Sequence, residues 1–223
     1  MKRQRVPLDG IAPTAYVATM TEKTAKPISL REACVQEALA IIETSGVEEL
    51  SLRQVARRLG VSHQAPYKHF PSRDHILAEI VARAFESFAD YLDDCAKNEG
   101  QDLDLGYMGE AYLRYAHAHP LQYRLMFGTP LPNPADHPAM MQNAQHAFSL
   151  LTDALRQRRL QRGDDHAETA ILMDAMFIWS TLHGLASLSS SHAVDTIGLP
   201  KHLIEDAAMP ILTRIGRAIG KDD

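Results

Sequence analysis

The sequence predicts an all-α fold, and three observations predict it. Apolar residues recur at i, i+3, i+4 and i+7 through every long segment, and no alternating strand pattern competes with them. Serines suited to capping a helix N-terminus, Ser29, Ser51 and Ser72, stand just ahead of three of these stripes. Helix-stopping residues, Gly46, Gly60, Pro71 and Pro120, fall where stripes end. With 223 residues, 45% of them hydrophobic, the chain is long enough to bury a sizeable core.

Residues 1–28 hold Pro7, Pro13 and Pro27, show little periodicity and are basic at both ends. They are expected to form a flexible arm that follows phosphates or the minor groove, with a plain disordered tail as the other reading. Ser29 and Glu32 then form a capping box ahead of the stripe Val35, Ala38, Leu39 and Ile42, and Gly46 ends that helix. Ser51 and Gln54 repeat the device. The following helix buries Leu52, Val55, Ala56 and Leu59 and turns Arg53, Gln54, Arg57 and Arg58 outward. Gly60 supplies the left-handed C-terminal position, and Ser62 starts a second short helix over His63–Phe70. Pro66 lies close enough to its start to remove at most one intrahelical bond. The three pieces make a helix-turn-helix braced from behind by the first helix. The mix of His63, Gln64, Tyr67, Lys68 and His69 suits a DNA groove better than a core, because Gln pairs with adenine and Lys with guanine in the major groove.

At these residues the run GVSHQAPYKHFPSRDHIL resembles the recognition segment of the TetR/AcrR family of bacterial transcriptional regulators. Gly60, Val61, Ser62, Tyr67, His69, Phe70, Pro71 and Ser72 stand where that family's pattern has them, and the resemblance extends from about Ser29 to Leu92. Pro66 departs from the commoner leucine. Together with the helix-turn-helix geometry, the resemblance implies DNA contacts from Arg53, Ser62, His63, Gln64, Ala65, Tyr67, Lys68, His69 and, through a phosphate, Arg73.

A longer helix follows from Ser72 to Asp94, with Leu77, Ile80, Val81, Ala84, Phe85, Phe88 and Leu92 on one stripe and a polar exit over Lys97–Gly100. It joins the head to the rest and is the expected mechanical link. Further helices are expected at 102–118, 121–127, 138–162, 165–190 and 201–219, the last kinked at Pro210. The run TPLPNPADHP, with four prolines in ten residues, is an extended loop. Arg156, Arg158, Arg159 and Arg162 compensate a helix C-terminus, with an anion site as the weaker alternative. Ile171–Leu188 is apolar almost all round, so it is expected to be buried on two sides, one of them against a second subunit. Trp179, His183 and Gly184 resemble the Trp-His-Gly signature of one subgroup of the family, and the resemblance implies a homodimer built from this helix and the final one.

Charge separates along the chain: residues 1–75 carry a net +3 and residues 76–223 a net −8, so the basic part is the part with the helix-turn-helix. Cys34 and Cys95 show no CxxC or metal spacing and read as reduced core residues. No apolar run follows Lys2, Arg3 and Arg5 or approaches a membrane span, so neither a signal peptide nor a membrane partner is expected, and the location is cytoplasmic. Eleven histidines invite a metal, yet His117 and His119 are two apart on a helix and face different ways; no metal and no other cofactor is expected. No nucleophile-and-base motif, Gly-rich phosphate loop or carboxylate pair supports an enzyme. Phe88, Tyr123, Met126, Phe127, Met173, Met176, Phe177, Trp179 and His183 read equally as plain core or as the wall of a pocket for a largely apolar effector. The organisation expected is therefore an arm (1–28), a helix-turn-helix DNA-binding domain (29–75) and a helical effector-binding and dimerisation domain (76–223). The expected function is that of a homodimeric repressor, bound to a near-palindromic double-stranded operator and released by a small-molecule effector. The rival is an effector-independent architectural DNA-binding dimer.

Overall fold

In the computed structural model, which describes residues 28–98, 105–163, 167–191, 196–200, 202–203 and 206–220, helices account for the long stripes, and no strand occurs among the described residues. The expected arm up to residue 27, the side chain of Cys95, the polar exit past Asn98 and Ile204 lie outside the described residues.

Helix α1 spans Leu30–Ser45 and buries Cys34, Val35, Ala38, Ile41 and Ile42. The Ser29 hydroxyl accepts the Glu32 amide at 3.2 Å, which is one half of the expected capping box. The other half is replaced, because the Glu32 carboxylate binds Arg83 instead. Helix α2, Leu52–Leu59, has Ser51 accepting from the Gln54 amide. Gly60 ends it in the left-handed conformation, φ +66°, and the amides of Gly60 and Val61 donate to Arg57 and Ala56, which closes the turn on two carbonyls.

The second helix of the motif differs from expectation. Residues 63–70 do not form an α-helix: His63–Ala65 are a turn and Pro66–Lys68 a single 3-10 turn. Pro66 has no N–H to donate to Ser62, so the Ser62 carbonyl is taken by Ala65, and the amides of Lys68 and His69 close i→i+3 bonds. Pro66 and Phe70 are buried.

Helix α3 runs Arg73–Asn98, longer than expected, and buries Leu77, Ile80, Val81, Ala84, Phe85, Phe88 and Leu92. At its start the Ser72 hydroxyl meets His75 Nδ1 at 2.8 Å. The body follows as α4 (Leu105–Ala118), α5 (Pro120–Phe127), α6 (Pro138–Arg162) and α7 (Glu168–Ser189), with Pro120 and Pro138 each at a first helical position where the missing N–H is harmless. Between α5 and α6 the proline-rich loop contains one 3-10 turn, Pro134–Asp136. The final helix α8 covers only Ala208–Ala218. Pro210 therefore lies in its first turn, where no intrahelical donor is lost, rather than kinking a longer helix.

Helix α3 packs along α6 and against α4 and α5, while α4 also meets α7 and α8. Gly109 permits that last approach: a Cβ there would collide with Leu212 of α8 and touch Leu182 of α7. Helix α7 is by length and composition apolar enough to cross a membrane, contrary to the expectation from sequence. It nevertheless carries Asp174, ion-paired to Arg159 at 2.7 Å, and buries Ile171, Ala175, Ile178, Leu182 and Leu185 in the core. Within the single chain it is buried on one side, and Met173 and Phe177 stand exposed on the other. The Arg156 guanidinium is paired with Glu168 and Asp153, which supports the compensated reading of the arginine cluster over the anion site.

Candidate functional site

The head is fixed by charge as well as by packing. Arg31 forms a two-point pair with Glu79, at 3.0 and 2.8 Å, and lies over the Phe70 ring at 5.1 Å. Arg83 bridges Glu79 and Glu32, so α1 and α3 are linked by four alternating charges. The hydrogen bonds from Arg31 and Arg83 lower the Glu79 pKa against the opposing effect of burial. Through Phe70 this network also holds the end of the 3-10 turn.

The outer face of that turn is exposed. Ser62, His63, Gln64, Tyr67, Lys68 and His69 all reach solvent, Ala65 is half-buried, and the His63 and Tyr67 rings lie 5.8 Å apart. Arg53 and Arg57 of α2 are exposed beside them. Arg73, expected to hold a phosphate, has intramolecular partners in the free chain. Its Nε and one terminal nitrogen donate to the carbonyls of Leu50 and Val47 at 3.1 and 2.8 Å, so in this structure it ties the start of α3 to the loop before α2. The Val47 carbonyl also accepts the Leu50 amide at 3.2 Å, so the guanidinium adds a second donor there and closes the end of the 3-10 turn over Val47–Glu49.

The body encloses a cavity of about 410 Å³. From α3 it is walled by Phe85, Phe88 and Leu92, and from α5 by Met126 and Phe127. Met108 and Tyr112 of α4, Phe148 of α6 and Trp179 and Leu182 of α7 close it further. Of the residues expected at a pocket, Phe88, Met126, Phe127, Met176 and Trp179 line it. Met173 and Phe177 do not: they stand on the outer face of α7, 66% and 44% exposed, because successive residues of a helix that is apolar all round must point both ways. Met176 is half exposed and lies at the margin between the two. Leu182, expected at a subunit interface, is buried on the cavity wall, 3% exposed.

Tyr123 and His183 stand behind the wall. The Tyr112 and Tyr123 hydroxyls are 2.9 Å apart, and the Tyr123 hydroxyl is 2.7 Å from His183 Nδ1. Burial pushes the Tyr123 phenol up to about 12 and Tyr112 higher still, and it lowers His183, so the whole relay is neutral near pH 7. Tyr112 escapes sequence reading, since its partner is eleven residues away on another helix and its only local signal is one apolar stripe. Cys34 is a buried free thiol whose pKa burial raises.

The first half of α3 is also held from the body side. The Asn143 side chain of α6 donates to the Ala82 carbonyl at 3.0 Å. At the end of the proline-rich loop the buried His137 ring meets His75, in the first turn of α3, edge to face at 4.9 Å.

Residues 35–80 match the family model described as bacterial regulatory proteins, tetR family, and residues 105–208 match one described as tetracyclin repressor-like, C-terminal domain. Neither description names the Trp-His-Gly subgroup. The chain is 26% identical over 194 residues to Rv0681 of Mycobacterium tuberculosis, an uncharacterized HTH-type transcriptional regulator, covering 86% of this chain and 84% of the relative. Among solved structures it is similar to SCO4313, described as a candidate regulatory protein, with 30% identity and a TM-score of 0.65 over 82% of this chain and 94% of the other. FadR from Bacillus subtilis, solved in complex with stearoyl-CoA, shares the fold alone: 11% identity and a TM-score of 0.60 over 81% of this chain and 96% of its own.

Proposed function

The chain belongs to the TetR family of bacterial transcriptional regulators, and from that premise we propose that it is a dimeric repressor, released from a near-palindromic operator when a small apolar molecule enters its body. It is a DNA-binding regulator and not an enzyme. The finer reading divides the work between residues 29–75, which read DNA, and residues 76–223, which bind the effector and pair the subunits in the cytoplasm.

The observation that carries this reading is the course of α3. It begins just past the recognition turn, with only Pro71 and Ser72 between Phe70 and its first residue, and forms part of the cavity wall with Phe85, Phe88 and Leu92. At about 1.5 Å per residue, Arg73 and Phe88 are roughly 22 Å apart along one rigid element. A guest that shifts the aromatic end therefore moves the head, and it weakens DNA binding by its own preference between the two arrangements. The 410 Å³ cavity favours this over an effector-independent architectural binder, which has no use for one. FadR's stearoyl-CoA complex is an instance of the same fold holding an acyl ligand.

On the DNA side, Gln64 and Lys68 have the chemistry for base edges, with His63 and Tyr67 beside them and Ser62, His69, Arg53 and Arg57 toward the backbone. On the pairing side, Met173, Met176, Phe177 and Leu188 of α7 are exposed, with Leu203 and Met209 near the final helix. An apolar face of this extent on a regulator that reads two half-sites fits a second copy of the chain. The reading is tested by selecting a binding site from random duplexes and measuring its affinity with and without cavity ligands. A symmetric site released by a ligand supports it; an affinity indifferent to every ligand that enters the cavity refutes the effector half.

A further inference from the structure

The cavity carries more information than its volume. Among the described residues its wall contains no Lys, Arg, His, Asp or Glu, and the polar side-chain groups they bring to it are the Tyr112 hydroxyl and the Trp179 indole N–H. The Tyr112 hydroxyl heads a relay that continues through Tyr123 to His183. The exposed wall residues among those described, Leu131 and Met176, are apolar, so the polar partner these residues offer a guest lies in the buried interior. An ionised head in that interior would lose its hydration with no counter-ion to replace it, which is far costlier than burying a neutral oxygen that gains a hydrogen bond.

Resting on the reading of this cavity as the effector site, we propose that its ligand is a neutral, mainly apolar molecule bearing one carbonyl or hydroxyl oxygen seated against Tyr112. The relay accepts either group because it can run in two directions. When His183 carries its hydrogen on Nε2, Tyr123 donates to Nδ1 and Tyr112 donates to Tyr123. Tyr112 then has a lone pair left for a ligand hydroxyl. When the hydrogen is on Nδ1, each bond reverses and the Tyr112 O–H is free to donate to a ligand carbonyl. Neither arrangement puts a positive charge in the site, so a carboxylate of the same length gains nothing in exchange for its water.

The test uses the single tryptophan of the chain, Trp179, which lies on the cavity wall and reports entry by its fluorescence. The full-length protein is titrated with 2-decanone, 1-decanol and decanoate at about pH 8, where the acid is ionised. The ketone and the alcohol should each bind at least roughly tenfold more tightly than decanoate. In Tyr112→Phe, checked for folding by its thermal transition, ketone affinity should fall by roughly three- to tenfold while decanoate is unchanged. Decanoate binding as tightly as the ketone in the wild type overturns the neutral class, whatever the variant does. Ketone affinity that survives the loss of the hydroxyl overturns the seat at Tyr112. If none of the three alters Trp179 fluorescence or the thermal transition, the effector-site reading itself fails along with the proposal.

Discussion

Between α1 and the start of α3 the interior is filled: Cys34, Ala38, Ile41, Ile42, Val55 and Ile76 are wholly buried, and the charges of Arg31, Glu79, Arg83 and Glu32 lock the outside of the same junction. Between α3 and α7 the side chains are just as apolar, yet they stand around a cavity of about 410 Å³. Wall atoms facing a void lose dispersion contacts that close packing would supply, so the body gives up stability that the head keeps. A surface that must fit a rigid duplex needs one geometry, whereas a chamber that admits a guest needs a wall able to move. Helix α3 belongs to both and transmits the difference.

The largest expected effect is on the outer face of α7. Phe177→Asp should give monomers by sedimentation at micromolar concentration and weaken operator binding by roughly a hundredfold or more, since one head makes half of the contacts. Head and body should each stay folded. Leu182→Asp sharpens the contrast: it buries a carboxylate on the cavity wall against α4, so it should unfold the body rather than merely separate the subunits. A Phe177→Asp protein that remains dimeric would remove α7 from the interface.

Next comes the reading surface. Gln64→Ala should lose about 1–3 kcal/mol on the selected operator and almost nothing on random DNA, measured by competition binding. Equal losses on both duplexes would mean that Gln64 meets only phosphate.

Arg73→Ala separates bracing from DNA contact. Its guanidinium serves the Val47 and Leu50 carbonyls but its side chain is 36% exposed, so removal should destabilise the head by about 1–2 kcal/mol in denaturant unfolding. The salt dependence of DNA binding should keep its slope, and a slope reduced by one phosphate contact would return Arg73 to the DNA.

The smallest effect is the pH dependence of the charge network. The Glu79 pKa is lowered on folding, so its stabilising contribution is complete above the ordinary carboxylate value and disappears as pH falls through the lower folded one. Glu79→Gln should therefore lose stability near neutrality, by about 1 kcal/mol or less because the pair is partly exposed. Its stability should also change less than the wild type's over the acid range. A variant that tracks the wild type through that range would show the network to be energetically silent.

Local features carried over from sequence to structure almost unchanged. The Ser29 and Ser51 caps, the Gly60 turn and the stripes of α1, α2 and α3 depend on residues within one or two helical turns of each other, and the chain can satisfy them before anything else has packed. The two departures at prolines show where local reasoning stops. Pro66 was compatible with a short helix by position, but burying its ring beside Phe70 favours the tighter 3-10 turn; Pro210 predicted a kink in a helix that in fact begins two residues before it.

What sequence determined by itself was the all-α class, the head with its turn, and the family to which both point, because periodicity, caps and a dense motif are short-range properties. Only tertiary structure decided which way the faces of α7 turn, that Arg73 braces backbone carbonyls, and that Tyr123 and His183 meet Tyr112 behind the cavity wall it helps to form. A helix apolar on every side has no periodic signal to say which side is outside, and a guanidinium can serve a carbonyl or a phosphate. The relay joins residues sixty positions apart at its far link, so nothing but the packing of α4, α5 and α7 brings it together.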